Sequence, residues 1–208
     1  MNNDNLQLLT SGLDELGLKH GPEALARLTG FHDFLLAYNE KVNLTGFTDE
    51  RESVVKNLLN ALAPWRYIDA SRATADIGSG GGMPGIPLAI MLDMPRMTLI
   101  ESKQKKCEFL RQACEKFAPK VMVLNEDVNG LKRSFGQIVS IAYGTLAKLV
   151  QATSHMRAPG TRIIAWKGRM ATVEQEINEC RKPFKRWKVE KFDVPELDAE
   201  RHICVLEL

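Results

Sequence analysis

The feature that most constrains this chain is a glycine-rich loop that directly follows a short apolar run. The run ends at Asp76-Ile77, and the loop reads Gly78-Ser-Gly-Gly-Gly-Met-Pro-Gly85. Glycine permits left-handed backbone and lets a ligand approach without a Cβ in the way, and proline favours the start of a helix. The pattern therefore predicts a strand, a tight turn and a helix, with a ligand crevice at the carboxyl end of the strand.

Short apolar runs alternate with longer amphipathic runs from about residue 73 onward. The predicted strands cover 73–77, 97–101, 121–124, 137–141, 162–167, 187–194 and 202–207. The predicted helices cover 84–92, 103–117, 145–156 and 170–181. This alternation predicts an α/β fold with a seven-stranded, mostly parallel, Rossmann-like sheet that helices cover on both faces. The last two strands follow the last helix, which favours an antiparallel hairpin at the sheet edge.

The first part of the chain has a different, helical pattern. Leu6, Leu9, Leu13 and Leu16 recur at helical spacing before Gly17. A second helix is predicted over 22–39, and a third begins after a capping aspartate at position 49 and ends before the proline at position 64. We expect residues 1–66 to form a helical cap on a core that spans 67–208, with both parts in one compact unit.

Length and composition narrow the class of protein. A chain of 208 residues suits one globular domain, and a net charge of +2 argues against a protein that binds nucleic acid by overall charge alone. No apolar stretch is long enough to cross a membrane, and the first residues do not resemble a signal peptide. We expect a cytoplasmic monomer. The cysteine and histidine spacings do not match a metal site, so no metal is predicted.

Positive charge is nonetheless concentrated in two segments. The first holds Lys103, Lys105, Lys106 and Arg111. The second holds Arg181, Lys182, Lys185, Arg186, Lys188 and Lys191. Such patches can neutralise the phosphates of a nucleic acid, and an ordinary solvated surface is the alternative interpretation.

Two nucleotide-like ligands fit the glycine loop. Gly80-Gly-Gly-Met-Pro-Gly85 matches the G-x-G-x-x-G signature of NAD sites, and S-adenosylmethionine is the alternative. Asp76 favours S-adenosylmethionine, because a carboxylate there suits the cationic end of that cofactor and disfavours a pyrophosphate. Glu101, at the end of the second predicted strand, can accept the ribose hydroxyls of either ligand. Asp127 and Asn129 follow the third strand, where methyltransferases contact adenine. NAD and a ligand-free glycine turn remain the alternatives.

Five motifs along nearly the whole chain carry a family resemblance. They are Val42-Asn-Leu-Thr45, Gly78-Ser-Gly-Gly-Gly-Met-Pro-Gly-Ile-Pro87, Glu101-Ser102 with Lys105-Lys106 and Phe109-Leu110, Ala165-Trp-Lys-Gly168, and Val194-Pro-Glu-Leu-Asp-Ala-Glu-Arg-His202. Together they resemble the bacterial small-subunit rRNA guanine-N7 methyltransferases, the RsmG or GidB family. The ten-residue loop is far more specific than a generic glycine motif.

The resemblance implies a class I methyltransferase fold, S-adenosyl-L-methionine as the cofactor, and 16S rRNA or a small ribosomal subunit precursor as the partner. Guanine N7 carries a free lone pair, so no general base is required and no catalytic residue is assigned. The cofactor-binding candidates are Asp76, Gly78, Ser79, Gly80, Gly82, Met83, Glu101, Ser102, Val128 and Asn129. The substrate-binding candidates are Lys167, Arg201, His202, Lys103 and Lys106. Met83 and Val128 equally suit a packed core, and His202 equally suits a structural histidine.

Several positions depart from the family pattern. The family carries H-x-L-D-S where this chain has Asn57-Leu-Leu-Asn60-Ala61, and S-R-A where it has Ser140-Ile141-Ala142. Asn129-Gly130 replaces an acidic pair, and Glu101 replaces an aspartate. Methylation of 16S rRNA is the first hypothesis. The alternatives are a methyltransferase that acts on another RNA or a small molecule, and a cofactor-binding homologue with little activity.

Overall fold

The computed structural model describes residues 1–180 and 186–207, and within them a seven-stranded mixed sheet forms the centre of the molecule. The strands are β1 Thr74–Ile77, β2 Met97–Ile100, β3 Met122–Leu124, β4 Phe135–Ile141, β5 Arg157–Lys167, β6 Arg186–Lys191 and β7 His202–Glu207. Their spatial order is β3-β2-β1-β4-β5-β7-β6. The predicted α/β fold is confirmed, and β6 and β7 form the expected antiparallel hairpin.

Strand register brings several carboxyl ends to one edge of the sheet. The parallel pairs place Ile77 of β1 beside Ile100 of β2, and Ile141 of β4 beside Trp166 of β5. Strand β7 runs antiparallel to β5, so its first residue, His202, pairs with Lys167 at the same edge. The loops that follow β1, β2, β4 and β5 therefore meet at this edge, where open α/β sheets bind ligands.

The helices cover both faces of this sheet. They are α1 Asn3–Glu15, α2 Pro22–Asn39, α3 Glu50–Ser53, α4 Asn60–Leu62, α5 Gly85–Met91, α6 Gln104–Phe117, α7 Leu146–Ala152 and α8 Met170–Glu179. The predicted helix 145–156 is shorter, because it gives way to a 3-10 turn over Ser154–Met156. Predicted residue Arg181 of the last helix lies outside the described residues, as do Lys182 and Lys185 of the second basic segment.

A π-helical segment, Val54–Leu59, interrupts the third predicted helix. The helix begins as predicted, since the Asp49 side chain accepts a hydrogen bond from the backbone N–H of Glu52 at 2.8 Å. A π-turn adds a residue to the turn and rotates the face that follows, and such turns are frequent at functional sites. Asn57 lies within the π segment and Asn60 follows it directly.

Two apolar layers hold the helices on the sheet. On one face Leu9, Phe31 and Leu59 from the N-terminal helices share a buried cluster with Leu99 and Phe109. On the other face the buried cluster contains side chains such as Ile77, Ile138, Leu146 and Ile163. The N-terminal segment thus packs directly on one face of the sheet. No helix among the described residues is long and apolar enough to cross a membrane.

Candidate functional site

The loop between β1 and α5 has the backbone conformation that its glycines predict. Gly78, Gly80 and Gly82 have φ values of 70°, 53° and 86°, a region that side chains disfavour. The backbone N–H of Gly78 donates to the carbonyl of Ile100 at 2.9 Å, which fixes the loop to the end of β2. Ser79 is buried and its Oγ donates to the carbonyl of Asp76 at 3.0 Å, so this predicted ligand residue serves the loop's own structure.

Asp76 lies beneath the loop and is fully buried. Its Oδ2 accepts a hydrogen bond from the backbone N–H of Gly85 at 3.1 Å, and its Oδ1 has no hydrogen-bond partner among the described residues. Burial raises the pKa of this carboxyl to about 8. Asp76 therefore supports the loop through Oδ2, and the direct contact with the ligand that the sequence predicted stays a prediction.

Glu101 faces the glycine loop from the end of β2. Its Oε2 accepts a hydrogen bond from the backbone N–H of Gly80 at 3.1 Å, and its Oε1 accepts one from the backbone N–H of Lys103 at 2.9 Å. Asn125 fixes the backbone at this point, since its Nδ2 donates to the carbonyls of Glu101 and Ser102. A carboxylate has about four lone-pair positions, so Glu101 keeps capacity for ligand hydroxyls.

The loops after β3 and β4 bring further residues to this edge of the sheet. Val128 is buried, whereas Asn129 is exposed and donates from its Nδ2 to Asp127 Oδ1 at 2.8 Å. Tyr143 was not among the predicted site residues. Its ring lies against Gly78, since a Cβ added to Gly78 would come within 2.8 Å of the Tyr143 ring. Only strand register could have placed Tyr143 near the loop.

A second cavity, of about 420 Å³, lies between the N-terminal helices and the carboxyl ends of β4 and β5. Its lining residues are Phe47, Lys56, Asn57, Asn60, Met83, Ile141, Ala142, Trp166, Lys167, Gly168 and Arg201. Met83 belongs to the glycine loop, so the two depressions are neighbours. Three of the positions that depart from the family pattern, Asn57, Asn60 and Ile141, line this single cavity.

Lys167 lines the cavity but is committed to a buried ion pair. Its Nζ lies 2.7 Å from Glu176 Oε2 and donates to the carbonyl of Gly144 at 2.7 Å, and both charged side chains are only 12% exposed. The same Glu176 oxygen accepts from the backbone N–H of Leu146 at 2.7 Å. Lys167 therefore holds the loop after β4 in place, a role that its sequence position did not reveal.

The remaining substrate candidates divide by exposure. His202 is buried, with its Nδ1 2.7 Å from the carbonyl oxygen of Gly168, which favours a structural role. Arg201 lines the cavity and is half-buried. Lys103 is exposed and Lys106 half-buried at the start of α6, beside the glycine loop.

The strand order, the glycine loop after β1 and the acidic residue at the end of β2 define a class I methyltransferase fold. Solved structures with this fold include a methyltransferase from Pyrococcus furiosus, with a TM-score of 0.57, 16% identity and coverage of 88% of this chain and 96% of that one. A predicted O-methyltransferase from Agrobacterium tumefaciens gives a TM-score of 0.55 at 23% identity, over 72% of this chain and 78% of that one.

Sequence comparison identifies the family. The profile of the family described as GidB, rRNA small subunit methyltransferase G, matches residues 24–204, and the chain belongs to this family. It is 36% identical to the ribosomal RNA small subunit methyltransferase G of Aromatoleum aromaticum over 206 residues, which cover 96% of this chain and 97% of the relative. The protein of the same name from Neisseria gonorrhoeae is 36% identical over 200 residues, 95% of this chain and 96% of the relative. The resemblance seen in the five motifs is thereby confirmed.

Proposed function

We propose that this protein transfers the methyl group of S-adenosylmethionine to N7 of a guanine in the RNA of the small ribosomal subunit. The observation that carries the proposal is the pairing of Glu101 with the glycine loop at the sheet edge, in a chain that belongs to a family of small-subunit rRNA methyltransferases. The names of its relatives supply the RNA class.

The residues around the loop fit this cofactor. A Cβ on Gly80 would meet no atom nearer than 3.7 Å, so the loop leaves open space there, whereas a Cβ on Gly82 would come within 2.7 Å of Ile86 and disturb the packing of the loop. Glu101 would hold the ribose through its remaining lone pairs, and Val128 and Asn129 would border the adenine. The backbone of Gly78 and Gly80 would border the methionine portion, supported from below by Asp76.

The chemistry asks little of the side chains. Bound S-adenosylmethionine supplies an electrophilic methyl group on a sulfonium. Guanine N7 presents a lone pair at neutral pH, so the protein need not remove a proton from the acceptor. The protein's part is to orient the base and exclude water. This agrees with the commitment of His202 and Lys167 to structural contacts.

RNA would approach across the positive side chains at this sheet edge. Lys103, Lys106 and Arg201 lie beside the loop and the cavity, where they can neutralise phosphates. An RNA substrate from the ribosome agrees with the cytoplasmic location that the sequence predicts, and we keep a monomer as the expected state.

Two measurements test the proposal. Calorimetry should detect binding of S-adenosylmethionine and no binding of NAD. Small subunits and free 16S rRNA from a strain that lacks the gene should then accept one methyl group, mapped as N7-methylguanine. Binding of NAD alone would overturn the cofactor assignment. Methylation of tRNA or a small molecule, with an unchanged small-subunit RNA, would instead favour the divergent methyltransferase.

A further inference from the structure

The cavity beside the glycine loop has the size of a site for a flat group, and its lining combines aromatic surface with three basic side chains. Its volume of about 420 Å³ falls within the range of small-molecule sites, roughly 300–1,000 Å³. Phe47 and Trp166 provide aromatic surface, and Met83 joins the cavity to the loop that borders the proposed cofactor site. None of the residues that line it is acidic, as far as the described chain shows.

The cavity contains two asparagines whose hydrogen bonding differs. Asn57 is satisfied within the protein: its Nδ2 donates to Ser53 Oγ at 2.9 Å, and its Oδ1 accepts from Thr45 Oγ at 3.3 Å. Asn60 is only 8% exposed, and its Oδ1 has no hydrogen-bond partner among the described residues. Trp166 Nε1 donates to the backbone carbonyl of Asn60 at 3.0 Å, which fixes the residue on the cavity wall.

A buried amide oxygen without a partner calls for an explanation, because most buried polar groups in proteins are hydrogen-bonded. The missing partner must be a donor, and no charge is needed on it. The Watson–Crick edge of guanine presents such donors, the N1–H and the N2 amino group, whereas adenine has an unprotonated N1 and a C2–H at these two positions and carries its only amino donor at C6. This edge lies on the far side of the base from N7.

We propose that Asn60 is a specificity-determining residue that accepts a hydrogen bond from the Watson–Crick edge of the acceptor guanine. The inference rests on the proposed function and adds the residue that selects the base. A base held by this edge directs N7 away from Asn60. Because Met83 lies on both the cavity wall and the glycine loop, a base in the cavity adjoins the proposed cofactor site. If adenine is held in the same orientation, the lone pair of its N1 faces the Asn60 side-chain oxygen, and no hydrogen bond forms.

The test compares small-subunit RNA that carries guanine at the methylated position with RNA that carries adenine there. The wild-type protein should favour guanine, and Asn60→Leu should reduce that preference by roughly tenfold or more. Asn60→Asp, which keeps an acceptor oxygen and restores the residue of the family pattern, should retain it. Asn57→Ser is the matched control, because it alters the same wall at a satisfied amide and should leave the preference unchanged.

Calorimetry with S-adenosylmethionine reports whether each variant is folded and binds the cofactor, and Asn60→Ala replaces Asn60→Leu if the latter does not fold. An unchanged guanine preference and an unchanged KM for RNA in a folded Asn60 variant would overturn the inference while leaving the proposed function intact. A wild-type protein that methylates no small-subunit RNA would instead overturn the proposed function, and the inference with it.

Discussion

The fully buried Asp76 carboxyl group accepts a hydrogen bond from the backbone N–H of Gly85 at 3.1 Å. Burial raises its pKa from the usual 3.8 to about 8, so the folded protein binds a proton there that the unfolded chain releases. The stability that this group contributes is therefore largest below about pH 4 and is lost as the pH rises toward 8, at up to about 1.4 kcal/mol per pH unit.

Asp76→Asn removes this titration and keeps an oxygen that can accept from Gly85. The free energy of unfolding of the wild type, relative to that of the variant, should fall between pH 5 and pH 8. Urea denaturation at three pH values across this window measures the difference. Other groups also titrate there, such as His32, because burial lowers its pKa, and subtracting the variant from the wild type removes their contribution. A difference that does not change with pH would show that Asp76 is ionised throughout.

Gly85 is required for steric reasons. A Cβ there would clash with Leu99 Cδ2 and lie 2.7 Å from Asp76 Oδ2, which forces the start of α5 away from the sheet. Gly85→Ala should therefore cost about 1–3 kcal/mol of stability and weaken S-adenosylmethionine binding, as measured by denaturation and calorimetry. Gly46→Ala is the control, because a Cβ there meets no atom within 4 Å. Equal effects of both substitutions would contradict the steric argument.

The negative charge of Glu101 should strengthen the binding of S-adenosylmethionine. Each of its oxygens accepts one backbone N–H, and charge-assisted hydrogen bonds of this kind contribute roughly 1.5–3 kcal/mol. Glu101→Gln should reduce S-adenosylmethionine affinity about tenfold or more, whereas Glu101→Asp, the usual family residue, should bind more tightly than Glu101→Gln. Glu108→Gln, on the exposed side of α6, is the control. Calorimetric affinities that rank Gln at or above Asp would argue against a ribose contact.

Local signals explain why much of the fold was predictable. The helix Pro22–Asn39 was predicted with the correct bounds, because proline marks its first turn. Asp49 caps its helix as expected. The alternation of apolar runs predicted where the strands occur along the chain. The glycine loop and Glu101 were found because both follow strands whose register brings them together.

Long-range pairing explains what the sequence did not reveal. The Lys167–Glu176 ion pair and the contact of Tyr143 with Gly78 join distant segments through side-chain directions that only strand register determines. The π segment before Asn60 also has no clear signal, since its apolar spacing suits an ordinary helix. As a result, the sequence presents three unconnected departures from the family pattern, whereas in the structure they line the same cavity: Asn57, Asn60 and Ile141.

The ion pair makes Lys167 contribute to the stability of the folded protein, which a lysine that only contacts RNA would not do. Lys167→Met leaves the Glu176 carboxylate buried without its cation and should cost about 3 kcal/mol of stability. Lys167→Met combined with Glu176→Gln should cost less than the single change, because no buried charge remains and the glutamine oxygen can still accept from the backbone N–H of Leu146. Denaturation of the single and double variants measures the coupling. Additive losses would mean that the pair contributes little, and that Lys167 is available to the substrate.

Lys103 and Lys106 are predicted to act on phosphates, and salt dependence separates this role from base recognition. Each phosphate contact contributes about 0.7–0.9 to the slope of log affinity against log salt concentration. Lys103→Gln and Lys106→Gln should each reduce that slope by about this amount in RNA binding, with little effect on S-adenosylmethionine affinity.

Lys120→Gln is the matched control: it is an exposed lysine that precedes β3 at the opposite edge of the sheet and pairs with Asp93. A slope that stays the same in the Lys103 and Lys106 variants, or that falls equally in the Lys120 variant, would place the RNA on another surface. A lower affinity with an unchanged slope would point to a contact with a base.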